Sequence, residues 1–151
     1  LVTGVQSFAL PISILILSFN AKDSAQSAEQ KTTKIEIASH AVALVKEQLV
    51  AYNNRDIDGF LEPYSEEVKI YKYPNTFRYE AKKKMRDRYG KYFQSYSEID
   101  CVIVSRTVLG NVVIDHERVT RTMGKQTSVS EAIAIYTIEN GKISEVRFIS
   151  Y

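Results

Sequence analysis

The chain has 151 residues, 44% of them hydrophobic and 25% charged, the range of one globular domain with its own core. Twenty basic against eighteen acidic residues leave a formal charge of +2, which gives no footprint for nucleic acid or an anionic membrane surface and points to small neutral or amphipathic ligands. A single cysteine, Cys101, excludes an intrachain disulfide and a cysteine-rich metal centre, and two histidines are too few for a multi-histidine one.

The apolar run from Phe8 to Phe19 is shorter than the roughly 20 residues of a stable membrane span. A polar, Ala/Ser-rich stretch from Asn20 to Lys34 follows, with small residues at cleavage spacing in Ala25-Gln26-Ser27. Residues 1–34 are therefore expected to be a signal peptide and spacer, and the protein to be exported; residues 1–13 carry no further argument. The domain proper is expected over 35–151.

Between Ile37 and Asn53, Ala38, Ala41, Val42, Val45, Leu49 and Tyr52 form the stripe of an amphipathic helix. Asp56 can cap a short second helix whose Ile57, Phe60, Leu61 and Tyr64 share a face, with Pro63 near its end. Val68 to Tyr73 reads as a strand stopped by Pro74-Asn75. A third helix spans about Glu80 to Tyr96, with Met85, Tyr89, Tyr92, Phe93 and Tyr96 on one side and Lys82, Lys83, Lys84, Arg86 and Arg88 as a solvated face. Turn signals at Gly110-Asn111, Met123 to Gln126 and Asn140-Gly141 then divide the remainder into four antiparallel strands. The order is α+β, with helices covering one face of the sheet.

If each turn closes a regular hairpin, Ile103 opposes Arg118, Ser105 opposes His116, Arg118 opposes Glu131, His116 opposes Ile133, Ile133 opposes Phe148 and Ile135 opposes Val146. Directly opposed residues share a face. One face then gathers Ile99, Cys101, Ile103, Ile114, Val129, Ile133, Ile135, Val146 and Phe148, and is expected to be the core. It also carries His116, Arg118 and Glu131, three ionisable groups in an apolar layer. Val102, Val104, Arg106, Val113, Asp115, Glu117, Val119, Arg121, Tyr136, Arg147 and Ile149 fall on the other face, expected to be a partly covered outer surface through which a homodimer can pack.

The segments Ala51 to Leu61, Glu80 to Phe93, Val113 to Val119 and Ala134 to Ile143 resemble a SnoaL-like domain, near the steroid-isomerase-like branch of the nuclear transport factor 2-like superfamily. The resemblance covers about Ile37 to Tyr151. It implies a cone of three helices on a curved, mostly antiparallel sheet around an apolar pocket, often dimeric through the back of the sheet. The superfamily holds isomerases, cyclases, epoxide hydrolases, dehydratases and non-catalytic binders, so fold alone does not give function. Ketosteroid-isomerase chemistry is not implied: its aspartate base falls on Lys72 or Tyr73, its oxyanion aspartate on Ile133 or Ala134, and its tyrosine on Gln48. The resemblance does put His116, Arg118 and Thr120 on pocket-lining positions.

Two readings of the trio stand. In a pocket, Arg118 would orient an oxyanion, His116 would move a proton and Glu131 would set Arg118, as catalytic residues without cofactor or metal. Tyr52, Tyr71, Tyr73, Tyr89, Thr120, Ile133 and Phe148 would bind a small hydrophobic ligand. Otherwise Arg118 and Glu131 are a cross-strand ion pair with His116 beside it. A cofactor-free proton-transfer enzyme, a ligand-binding protein and a dimerising module whose own tyrosines fill the pocket are the functions left open.

Overall fold

The computed structural model describes the backbone of residues 13–150 and the side chains of 22–150. The first twelve residues of the expected leader, and the side chains of its apolar run, lie outside the described residues. The chain divides into two compact units, Leu1–Lys34 and Ile35–Tyr151. Among the described residues no helix is long and apolar enough to cross a membrane.

Helix α1 spans Ser13–Asn53. Within the second unit it buries Ala41, Leu44, Val45, Gln48 and Ala51; of the expected stripe Ala41 and Val45 are buried while Ala38, Val42, Leu49 and Tyr52 are half-buried along its edge. Its last residue is tied to the sheet: Asn53 Nδ2 donates to the Cys101 carbonyl (3.0 Å) and Asn53 Oδ1 accepts from the Cys101 N–H (2.8 Å), satisfying backbone groups of an edge strand. Helix α2, Ile57–Leu61, starts at Asp56, whose carboxylate accepts from Asp58 and Gly59 N–H. A Cβ at residue 59 would sit 2.5 Å from Asp56 Oδ2, so this cap requires glycine there. Helix α3, Lys82–Ser95, buries Met85 and Phe93.

Six strands follow the order β2-β1-β6-β5-β4-β3, with β1 Tyr64–Lys72, β2 Thr76–Glu80, β3 Glu98–Leu109, β4 Val112–Met123, β5 Gln126–Glu139 and β6 Lys142–Ser150. All neighbours are antiparallel except β1 and β6. The sheet is curved and open. Strand β2 is an addition to the sequence reading; the chain after Pro74-Asn75 turns back and pairs Tyr79 with Ile70.

Two β-bulges decide which face is inside. On β3 the register passes from Ser105 opposite His116 to Ile103 opposite Glu117, leaving Val104 as the extra residue. On β6 it passes from Ile143 opposite Ile138 to Glu145 opposite Thr137, leaving Ser144 as the extra residue. Each bulge moves the remainder of its strand by one position, and a shift of one residue exchanges the faces. Ile99 and Cys101 are buried as expected, but the residues that share their face are Glu117, Val119 and Arg121, not His116 and Arg118. Across β4, β5 and β6 the core is Val113, Asp115, Glu117, Val119, Ala134, Tyr136, Ile138, Ile143 and Val146. The two faces read from regular hairpins are thus exchanged over β4 and β5.

Candidate functional site

The pleat of β4 sends Val113, Asp115, Glu117 and Val119 into the concave side of the sheet. Two carboxylates in such a layer must be paired, hydrogen-bonded or neutral. Asp115, fully buried, takes the first course: Arg106 Nε and Nη2 each donate to one of its oxygens at 2.6 Å, a fork geometry suited to a buried pair. The hydrogen bond to Asp115 raises the guanidinium's pKa further above its already high ordinary value.

Glu117 has no cation of its own. Its Oε1 accepts from the Tyr136 hydroxyl at 2.8 Å. Tyr136 in turn accepts from Gln48 Nε2 at 3.2 Å, and Gln48 Oε1 accepts from the Tyr64 hydroxyl at 3.3 Å. This file of buried donors fixes one oxygen of Glu117 and leaves Oε2 without a hydrogen bond among the described residues. Burial pushes the Glu117 carboxyl up to about 7; the Tyr136 bond opposes the rise and the charge of Asp115 adds to it. Burial likewise carries Tyr64 and Tyr136 well above the ordinary tyrosine value, so both remain phenols that can donate.

Glu117 lines a cavity of about 350 Å³ together with Gln48, Leu49 and Tyr52 from α1, Phe60 from α2, Tyr64 from β1, Tyr89 from α3, and Cys101, Val119, Tyr136 and Phe148 from the sheet. Tyr52 and Tyr92 share a hydroxyl contact of 2.7 Å near this wall. The Cys101 thiol is pushed up to about 12, first by burial, which makes it a neutral packing group. At the outer end stands Arg121. Its Nη2 donates to Ser130 Oγ, and its Nε is buried with no hydrogen-bond partner among the described residues. Beyond Arg121 the cavity opens into a broad basin of about 1100 Å³, with which it shares Tyr52, Tyr89, Arg121, Phe148 and Ser150.

Three of the residues expected to bind ligand, Tyr52, Tyr89 and Phe148, line this cavity. The others do not. Tyr71 lies on the outer face beneath Arg147, 4.3 Å from guanidinium carbon to ring centre, and Tyr73 is exposed at the end of β1. Thr120 and Ile133 alternate with cavity residues and face outward. The trio does assemble: Glu131 accepts from Arg118 Nε at 2.8 Å and meets His116 Nε2 at 2.9 Å. It assembles on the outer face, with side chains 30% (His116), 50% (Arg118) and 44% (Glu131) exposed. Glu131 borders the cavity, yet its carboxylate is turned to this outward pair, which holds its pKa below the ordinary carboxylate value through the bonds from His116 and Arg118. The bulge at Val104 is the cause, because an unbulged β3 would have carried the trio inward with Cys101. Regular hairpin pairing places Asp115, Glu117, Arg121 and Tyr136 on the outer face, and Gln48 is marked only as the position of a lost tyrosine; the structure puts all five inside.

Three helices on an open, curved sheet of six strands make a nuclear transport factor 2-like cone fold. A model of the SnoaL-like domain matches residues 45–146, and the chain belongs to that family. Among solved structures, it is similar to an uncharacterized cystatin-fold protein from Novosphingobium aromaticivorans, at 24% identity over 72% of this chain and 97% of that one, with a TM-score of 0.65. A candidate SnoaL-like polyketide cyclase from Jannaschia sp. CCS1 superposes with a TM-score of 0.65 at 16% identity, over 76% of this chain and 87% of that one. An epoxide hydrolase of the LEH-like type from M. tuberculosis does so with a TM-score of 0.65 at 15% identity, over 76% and 84%. At these identities the likeness concerns the fold. No curated protein matches the sequence.

Proposed function

We propose that this SnoaL-like protein is a cofactor-free acid–base enzyme that holds a small hydrophobic carbonyl compound in its cone cavity and moves a proton with Glu117. The observation that carries the reading is Glu117 itself: a buried carboxyl near pH 7, fixed at one oxygen by Tyr136 and open to the cavity at the other. A base of that strength is matched to removing a proton next to a carbonyl at neutral pH and returning it to another carbon. Tyr52, Phe60, Tyr89 and Phe148 supply flat apolar walls. The volume left between the tyrosines argues against a cone that merely fills itself.

Exchange of the α-protons of 2-tetralone and related cyclic ketones in D2O, followed by NMR, tests the reading. The protein should accelerate exchange with an apparent pKa near 7, and Glu117→Gln should abolish the acceleration. Ligand binding without exchange would instead make the cavity a carrier site.

The outer face supports a second copy of the chain as its partner. It presents Val102, Val104 and Val129 at 46%, 45% and 60% exposure, with charges of both signs at Arg118 and Glu131, so it is complementary to itself about a two-fold axis. Light scattering should give a dimer for the native chain and a monomer for Ile133→Glu.

A further inference from the structure

The formal charge of the chain is only +2, yet the basin in front of the cavity is lined by seven cations, Lys72, Arg78, Lys84, Arg86, Arg88, Lys91 and Arg121, with Asp87 as the one carboxylate among its described lining residues. Arg86 pairs with Asp58 and Arg88 lies over the Tyr79 ring; the other five make no ion pair among the described residues. They come from β1, β2, α3 and β4, so a charge pattern that reads as a solvated helix face in the sequence is part of a ring closed by three strands. A concave rim with so large an excess of positive charge raises the local concentration of counter-ions far more than the same charges spread over a surface.

Arg121 stands where the ring meets the cavity. Its Nη2 is held by Ser130, which fixes the plane of the guanidinium. Among the described residues its buried Nε has no hydrogen-bond partner. Arg121 also lies four residues from Glu117 on the same strand, about 13 Å between Cα atoms at about 3.3 Å per residue. The charges that act most on Glu117 are those of Asp115 and Arg106. The two groups therefore address opposite ends of whatever lies between them.

We infer that the cavity takes an elongated amphipathic anion, an organic acid whose carboxylate is bound by Arg121 within the basic rim while its apolar body runs inward to Glu117. The inference rests on the cavity being the ligand site and adds the substrate class. The rim attracts and orients; the Arg121 guanidinium, which lines both the basin and the cavity, holds the acid group by a charge-assisted hydrogen bond; the carbonyl end is left for Glu117.

Two fluorescent probes that differ in one charge test this directly: anionic 1-anilinonaphthalene-8-sulfonate and neutral N-phenyl-1-naphthylamine, titrated into the full chain. The native protein should prefer the anion by about tenfold, the worth of one charge-assisted hydrogen bond, with the preference falling as salt is raised. Arg121→Gln should remove the preference while leaving the neutral probe's Kd within about twofold. Lys84→Glu with Lys91→Glu, both on the exposed side of α3, should weaken only the anion and cannot disturb the core. Equal affinity for the two probes, or equal losses of both in Arg121→Gln, would overturn the anionic class and leave the cavity standing. Failure of both probes to bind would overturn it together with the cavity as a ligand site.

Discussion

Replacing Glu117 by Gln changes stability in a way that its position dictates. The folded protein holds this carboxyl near 7 against an ordinary 4.5, so the native state binds its proton more tightly than the unfolded chain does. The group's favourable contribution is fully present below about pH 4.5 and is lost as pH rises through 7. At about 1.36 kcal/mol per pH unit, a gap of about two and a half units amounts to about 3 kcal/mol, most of it lost between pH 5 and 8. Glutamine keeps an acceptor for the Tyr136 hydroxyl and never ionises. Urea unfolding followed by circular dichroism at pH 5 and pH 8 should therefore show native stability falling by 2 to 3 kcal/mol from this group, and a variant in which that fall is absent. Identical pH slopes for the two proteins would refute the claim that Glu117 is a desolvated carboxyl.

Asp115→Asn breaks the fork with Arg106 and leaves a guanidinium without its counter-charge; urea unfolding should register a loss of about 3 kcal/mol at neutral pH, the low end for a buried pair because Arg106 is partly exposed. His116→Ala and Glu131→Ala, by contrast, should leave both the melting temperature and α-proton exchange unchanged, since the pairs they break are solvent-screened and on the far side of the sheet. A tenfold loss of exchange in either would return the trio to the chemistry. Asn53→Ala removes both bonds to the Cys101 backbone and should cost about 1 to 3 kcal/mol in the same unfolding assay.

The helices were legible because their stripes are unambiguous: Ala41, Val45, Phe60, Leu61, Met85 and Phe93 are buried as their spacing requires. The turns at Gly110, Gly124 and Asn140-Gly141 were legible because those positions adopt positive φ, which glycine and asparagine tolerate best. Strand β2 was missed because Thr76 to Glu80 is too short to show a period before α3 begins. The site was misplaced for a different reason. On β4, Ile114 and Val113 are both apolar, and each face carries ionisable residues, so period two gives no preference for either side; only the absolute register to a known buried residue decides. That register runs through Val104 and Ser144, and neither bulge has a glycine or proline to mark it. The sole local hint was the alternation of Val113, Asp115, Glu117 and Val119, in which two carboxylates share a face with two valines.

The central claim, that Glu117 is an acid–base group open to the cavity, is tested most directly by the pH dependence of ketone α-proton exchange in the native protein and in Glu117→Gln. The account predicts a single ionisation near pH 7 in the native profile and loss of the acceleration in the variant. An unchanged rate in Glu117→Gln, or a native profile flat from pH 5 to 9, would contradict it.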